Sequence, residues 1–134
     1  MEINTKLWNP IPEIPSKLFV KELLHKDGLT IVLANEKNEK EIITIYFKWQ
    51  YGYRNLDESY HLRTTNDMPF LMQDWSLFIS NKGDFIESFN KLTYDIYKDK
   101  LVNYIIVTSN DIVEILAHIE MEVMVTKKVH GYGI

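Results

Sequence analysis

Ten residues in the middle of the chain, YGYRNLDESY at 51–60, hold its densest collection of polar and ionisable side chains. They include three tyrosines, Arg54, the carboxylates Asp57 and Glu58, and a serine. Carboxylates and hydroxyls can do acid–base chemistry, arginine can bind a carboxylate partner, and the same residue types build polar turns. The stretch therefore leaves three roles to weigh: catalysis, partner binding and a structural turn.

Two interpretations of this stretch are compatible with each other. In the structural interpretation, Arg54 pairs with Asp57 or Glu58 across a turn while the tyrosines pack on a sheet. In the binding interpretation, Tyr51, Tyr53 and Arg54 anchor a protein partner, because tyrosine and arginine combine large contact areas with directed donors. Asp57 and Glu58 would then add negative charge to the same surface.

A second group of carboxylates lies near the C-terminus. Glu114, Glu120 and Glu122 share the parity opposite an apolar stripe, and Asp111 precedes them. On one strand, His118, Glu120 and Glu122 would lie ~7 Å apart and could share a metal ion with a ligand from elsewhere. A polar strand face is usually solvated, so we predict neither a metal site nor a cofactor, and expect these acids to face a protein partner.

Several classes of enzyme and binding protein are excluded by what the chain lacks. Its 134 residues contain no cysteine, and no GxSxG, GxGxxG, GxxxxGK or HExxH pattern occurs. The net charge is −4 and the only adjacent basic pair is Lys127–Lys128, so direct binding of nucleic acid is not expected. No apolar run approaches the ~20 residues that span a bilayer, and the N-terminus does not resemble a signal peptide, so we expect a cytoplasmic protein without membrane contact.

The elements that must position these residues are mostly strands. The proline-rich residues 1–16 predict an irregular lead-in, and Asp27-Gly28 predicts a hairpin between strands at 17–25 and 29–34. A charged turn is expected at 35–40. The alternation from Ile43 to Tyr53 then predicts one long half-buried strand, in which Phe47 and Trp49 belong to the core and Gly52 marks a bulge or a close backbone approach. A turn at 55–59 and a short returning strand at 60–65 would follow, whereas 67–74 is ambiguous between helix and loop.

The second half of the chain contains the best helix signal. Asp84 and Glu87 have the spacing of a capping box, and apolar residues recur at helical intervals until about 98–100. Strands are expected around 75–79 and at 101–108. Seven alternating apolar residues from Val113 to Val125 predict one more long strand, followed by a loose tail at 126–134. The prediction is a single α+β domain, an antiparallel β-sheet with one main α-helix packed on one face.

Taken together, several segments resemble small stand-alone immunity proteins, which are encoded beside bacterial polymorphic toxins. These segments are LWNPIPEIP, DGLTIVL, YGYRNLDES, DWSLFIS, DFIESFN and YIIVTSNDIVEIL. The resemblance implies a non-enzymatic inhibitor that binds the C-terminal domain of a neighbouring toxin and occludes its active site. A nuclease toxin would present a basic cleft, which acidic groups on a rigid sheet could fill.

The leading hypothesis is therefore an immunity protein that neutralises a toxin domain. One alternative is a small hydrolase that uses carboxylates with a histidine, which would require at least two of five residues in one deep pocket. These are Asp57, Glu58, His61, His118 and Glu120. The other alternative is a structural or assembly module, which would show a large exposed apolar patch.

Overall fold

The computed structural model describes residues 5–57 and 74–129 of the chain. Glu58, the returning strand expected at 60–65 and nearly all of the ambiguous 67–74 segment lie outside the described residues. Within them are nine strands and one helix. These elements are β1 (Thr5–Leu7), β2 (Leu18–His25), β3 (Leu29–Asn35), β4 (Asn38–Phe47), β5 (Gly52–Asp57), β6 (Leu77–Ser80), α1 (Asp84–Leu92), β7 (Leu101–Val107), β8 (Asp111–His118) and β9 (Met124–Val129).

The strands form two antiparallel sheets. One sheet has the order β1-β6-β7-β8-β5, and the other has the order β2-β3-β4-β9. Strands account for 54% of the described residues and the helix is short, so the fold is mainly β rather than the α+β class that was predicted. The antiparallel pairing was predicted correctly, but the single sheet was not, because a period of two reports which side of a strand is buried and not how many sheets share the core.

The main core lies between the inner faces of the two sheets. Leu29, Ile31, Ile43, Ile45 and Phe47 supply it from the four-stranded sheet, and all five are fully buried. The five-stranded sheet contributes alternate residues of its strands β7 and β8 to the same core. These are Val102, Tyr104, Ile106, Val113, Ile115 and Ala117. The other face of this sheet is also apolar and buried, so β7 is buried at every position.

The two runs predicted as long strands are each bent into two strands that belong to different sheets. The first run becomes β4 and β5, and the second becomes β8 and β9. Because β4 pairs with β9 and β5 pairs with β8, the four strands form one antiparallel ribbon that turns a corner from one sheet to the other. Between the pairs Tyr46–Met124 and Gly52–Leu116, residues 47–51 on one side of the ribbon face residues 117–123 on the other.

Helix α1 covers part of the outer face of the five-stranded sheet. Ile86 packs there with Leu101 and Leu116. The helix starts at Asp84 as expected, but Gly83 occupies the N-cap position and no side chain caps the helix, so the predicted capping box is wrong. It also ends at Leu92, earlier than expected, because Tyr94 and Asp95 adopt left-handed backbone conformations that a right-handed helix cannot contain.

Parts of the predicted lead-in and tail that the structure describes are strands rather than irregular segments. Residues 5–7 of the predicted lead-in form β1, which pairs with β6, and residues 126–129 of the predicted tail lie within β9. The hairpin at Asp27-Gly28 is confirmed. Gly28 has φ 103°, and a Cβ there would stand 2.7 Å from the carbonyl oxygen of Phe47. By contrast, a Cβ on Gly52 would meet nothing within 4 Å. Of the two alternatives expected at that glycine, a bulge or a close backbone approach, the close approach is therefore wrong.

Strand β5 replaces the turn that was predicted to begin at Asn55. It continues to Asp57, and its residues pair with β8 over its whole length. The charged turn that was predicted at 35–40 is shorter than expected. The chain turns at Glu36 and Lys37, and β4 already begins at Asn38. No helix among the described residues is both long and apolar enough to cross a bilayer.

Candidate functional site

The two bends of the ribbon lie side by side and form a groove at the corner of the molecule, which we name the corner groove. It has a volume of about 260 Å³. Its lining residues are Tyr46, Lys48, Trp49, Met121, Glu122 and Met124. Most of its lining side chains are aromatic or methionine, and Lys48 and Glu122 add one cation and one anion.

Trp49 is the most conspicuous residue of the corner groove. Its side chain is 46% exposed, although its parity predicted a core position, whereas Phe47 two residues earlier is fully buried as expected. The indole packs edge-on against Tyr51, with ring centroids 4.9 Å apart. Tyr51 in turn contacts Phe89 of α1 and Tyr97, so Trp49 is supported by an aromatic cluster rather than projecting alone. Burial raises the pKa of the Tyr51 hydroxyl.

A second cavity of about 310 Å³ continues from the corner groove along β9. One wall is formed by residues 122–126 and the other by Pro10 and Ile11 of the lead-in. The two cavities share Glu122 and Met124. Met124 is 55% exposed, so a large apolar side chain stands open to solvent where the cavities meet.

Glu120 and Glu122 are exposed, as predicted, but they do not lie on a strand with His118. Strand β8 ends at His118, and the Glu120 backbone N–H donates a hydrogen bond to His118 Nδ1 at 3.0 Å, which closes a turn. The regular two-residue spacing of the proposed metal ligands is therefore lost. Among residues 5–57 and 74–129, no group of three or more histidine and acidic side chains is arranged to hold a metal ion.

Glu114 contradicts the expectation that all three glutamates face outward. It is 1% exposed, because α1 and its neighbours cover the outer face of the sheet at this point. Its Oε1 accepts a hydrogen bond from Arg54 Nε at 2.7 Å, and its Oε2 accepts one from Asn103 Nδ2 at 2.8 Å. Glu114 is thus part of the interior and cannot contact a partner on the folded surface.

Arg54 joins the sheet to the helix. Besides Glu114, its guanidinium donates to both carboxylate oxygens of Asp84, at 3.1 and 3.3 Å, and it lies 4.5 Å from the centre of the Phe85 ring. The predicted pairing of Arg54 across a turn with Asp57 is replaced by these contacts, since residues three apart on β5 point to opposite faces. Arg54 therefore has a structural role, since it links β5 and β8 to the start of α1.

The remaining predicted residues lie away from the corner groove. Tyr53 points toward the core between the sheets, and its hydroxyl is 3.3 Å from His25 Nδ1. Asp57 and Asp111 face each other as a cross-strand pair at the far end of β5 and β8. Asp111 Oδ1 also accepts a hydrogen bond from Thr108 Oγ1, which holds the turn between β7 and β8. Of the residues predicted to bind a partner, the structure thus places Glu122 in the lining of the corner groove and Tyr51 against Trp49 of that groove, and it disperses the rest.

A cavity of about 550 Å³ lies beside α1. Charged side chains surround an apolar floor, and the residues lining it are Asn81, Lys82, Ile86, Glu87, Asn90, Lys98, Asp99, Leu101 and Ile119. The hydrolase hypothesis requires two of its five residues in one pocket, yet Asp57, His118 and Glu120 line none of the three cavities described above. Glu58 and His61 lie outside the described residues.

Sequence reasoning missed Trp49 and Met124 as surface residues, and also a patch just after the helix. In that patch Leu92, Tyr94 and Ile96 are 79%, 90% and 65% exposed. Leu92 and Ile96 were expected on the buried face of a longer helix. Lys48 and Gln50 continue the polar parity of the run, so the sequence carried no local signal for the bend that exposes Trp49.

Neither a family model, nor a curated protein, nor a solved structure matches this chain.

Proposed function

We propose that this protein is an immunity protein that binds the C-terminal domain of a bacterial toxin through the corner groove. The observation that carries the proposal is the exposed Trp49, held in place by Tyr51 and flanked by Met124 and the carboxylate of Glu122. Tryptophan and tyrosine are enriched among the residues that dominate binding energy, and methionine is enriched at interfaces. The resemblance of the sequence to immunity proteins supplies the class of partner.

The charge around the corner groove favours a basic partner. Glu122 lines the groove and is exposed, and Glu120, two residues before it, is exposed as well. Lys48 is the single cation among the lining residues. A toxin that cleaves nucleic acid needs a basic cleft, and carboxylates beside a rigid apolar groove would be attracted to it. A nuclease is therefore the toxin class that fits best, and inhibition would follow from covering its substrate cleft.

The experiment measures binding to the toxin domain encoded beside the gene. We expect the Trp49→Ala variant to bind at least about thirtyfold more weakly than the wild type, because truncation of a central aromatic anchor typically costs ~2 kcal/mol or more. Co-expression of the wild type should rescue cells from the toxin, and co-expression of the variant should rescue them poorly. Isothermal titration and a rescue assay give the two readouts.

The matched control is Tyr94→Ala, which removes an aromatic side chain that is 90% exposed in the patch after α1. Its affinity should stay close to that of the wild type. If Tyr94→Ala abolished binding while Trp49→Ala did not, the interface would lie after the helix instead of at the corner. If the wild type bound no toxin domain at all, the proposal of toxin neutralisation would be wrong.

A further inference from the structure

Strand β9 is an edge strand whose outer side faces a cavity. In the four-stranded sheet it pairs with β4, and no other described strand pairs with it. The lead-in that runs past it carries Pro10 and Pro12, which have no backbone N–H to donate, and leaves the cavity of about 310 Å³ between itself and the strand. An extended segment of another chain is the occupant whose backbone fits such an edge.

The register of the sheet identifies which backbone groups of β9 point outward. The carbonyl oxygen of Phe47 points toward β3, because it lies close to Gly28, which immediately precedes that strand. In an antiparallel sheet the direction of the backbone groups alternates along a strand, so every second residue of β4 counted from Phe47 also points its N–H and C=O toward β3. Thr44 and Tyr46 then turn toward β9, where they pair with Thr126 and Met124. The backbone groups of Val125 and Lys127 consequently point away from β4, along the open edge.

The side chains around this edge indicate the chemistry of the segment. The cavity between β9 and the lead-in, lined by residues 122–126 with Pro10 and Ile11, is named here the edge cavity. Met124 projects on the outer face next to Tyr46, and Ile11 lies on the far wall of the edge cavity, so apolar side chains of an added strand could be buried on both faces. Glu122 precedes the strand and Lys128 lies near its other end, and both are exposed. A complementary segment would therefore carry a basic residue near Glu122 and an acidic residue near Lys128.

We infer that the toxin domain donates an extended segment that adds to the edge of β9 as a further strand, with its apolar side chains in the corner groove and the edge cavity. This inference rests on the proposed function, because it specifies how the same partner binds the same surface. The main chain supplies affinity at Val125 and Lys127, and the alternating side chains supply selectivity.

Amide hydrogen exchange tests the inference on the wild-type complex. In the free protein the N–H groups of Thr126 and Lys128, which face β4, should exchange slowly, and those of Val125 and Lys127 should exchange fast. Addition of the neighbouring toxin domain should slow exchange at Val125 and Lys127 by at least about tenfold. If the toxin domain binds but those two amides still exchange fast, strand addition is wrong while the proposed function stands. If the domain does not bind, both fail.

A pair of variants at one position provides an independent test. Val125→Ala and Val125→Pro both replace the branched valine side chain, and the proline retains more apolar carbon than the alanine. Only the proline removes the outward N–H, which an edge strand tolerates. We expect Val125→Pro to bind the toxin domain about tenfold or more weakly than Val125→Ala. Slow exchange of the β4 amides would show that both variants remain folded. Equal affinities of two folded variants would overturn the inference.

Discussion

Arg54 lies between two carboxylates, one on the strand next to it and one at the start of the helix. The side chain of Glu114 is 2% exposed and that of Arg54 is 27% exposed. A carboxyl group so deeply buried needs hydrogen-bond partners inside the protein, and Arg54 and Asn103 each donate to it. The planar guanidinium donates hydrogen bonds both to Glu114 on β8 and to Asp84 at the start of α1. The single ammonium group of a lysine cannot reproduce this geometry.

Arg54→Ala is expected to lower the free energy of unfolding by about 3 kcal/mol, since it removes a principal partner of a buried charge. Arg54→Lys, the matched control, should lose less because it keeps the charge. Urea unfolding measures both effects. Among molecules that are still folded, affinity for the toxin domain should be unchanged. A variant of normal stability with reduced affinity would instead return Arg54 to the role of a binding anchor.

The burial of Glu114 was only partly readable from the sequence. Its parity was assigned correctly, but that parity was taken to face solvent. The neighbours on the same parity, Ile112 and Leu116, are apolar and fully buried, and they were the available sign that the outer face of this sheet is covered. What covers it is a helix from a different part of the chain, and a local pattern carries no information about such a distant contact.

At the scale of elements, alternation identified strands well and bends poorly. Along both long runs, the same parity faces the core before and after the corner: Ile45 and Tyr53 in one run, Ile115 and Val125 in the other. Because the two sheets face each other, a ribbon can turn from one to the other without exchanging its inner and outer sides. An unbroken period of two is therefore compatible with one straight strand or with two strands joined by a bend.

The pair β4–β9 is held at its open end by an ion pair. Lys127 Nζ lies 2.8 Å from Glu41 Oε2, and Asn35 Nδ2 donates to Glu41 Oε1 at 3.0 Å. The hydrogen bond from Lys127, followed by that from Asn35, holds the pKa of Glu41 below its ordinary value. Lys127 also donates to the carbonyl oxygen of Glu13, so half of the only adjacent basic pair in the chain is engaged internally.

A lowered pKa in the folded state means that this contact stabilises the protein when the pH is above the unfolded pKa of Glu41. The stabilisation is lost as the pH falls through the lower, folded pKa. Glu41→Gln should therefore be less stable than the wild type by about 1 kcal/mol near pH 7, and the difference should shrink toward about pH 3. Urea unfolding at several pH values measures it.

Glu39→Gln is the control for this experiment, because Glu39 is an exposed carboxylate on the same strand. It should have little effect at any of these pH values. A Glu41→Gln difference that stayed constant from neutral to acidic pH would show that the ionised form of Glu41 does not contribute to the stability of the β4–β9 pair.

At the scale of the whole molecule, the net charge is −4. Its effect on binding depends on where the acidic side chains lie. Charge reversal of both Glu120 and Glu122 to lysine would bring the net charge to zero. It would place one cation in the lining of the corner groove and a second two residues before it. We expect the affinity for a basic toxin domain to fall about tenfold or more at low salt. The loss should be smaller at high salt, where exposed charges are screened. Affinity measured at two salt concentrations gives both values.

The control makes the same change in net charge elsewhere. Glu22→Lys with Glu39→Lys reverses two exposed glutamates on β2 and β4, away from the corner. If the two double variants bind equally well, the corner does not form the interface, and any loss of affinity comes only from the long-range effect of the net charge. If the Glu120 and Glu122 pair alone is impaired while its urea midpoint is unchanged, these side chains lie at the contact.

The bent ribbon has a mechanical consequence. Each of its two chains is continuous through the corner, so the angle between the sheets is set by the backbone at residues 47–51 and 117–123 rather than by core packing alone. Trp49 lies at that vertex. A partner bound against the indole would therefore exert force on both sheets at once. The stiffness of the backbone at the corner would decide how far the angle between the sheets changes on binding.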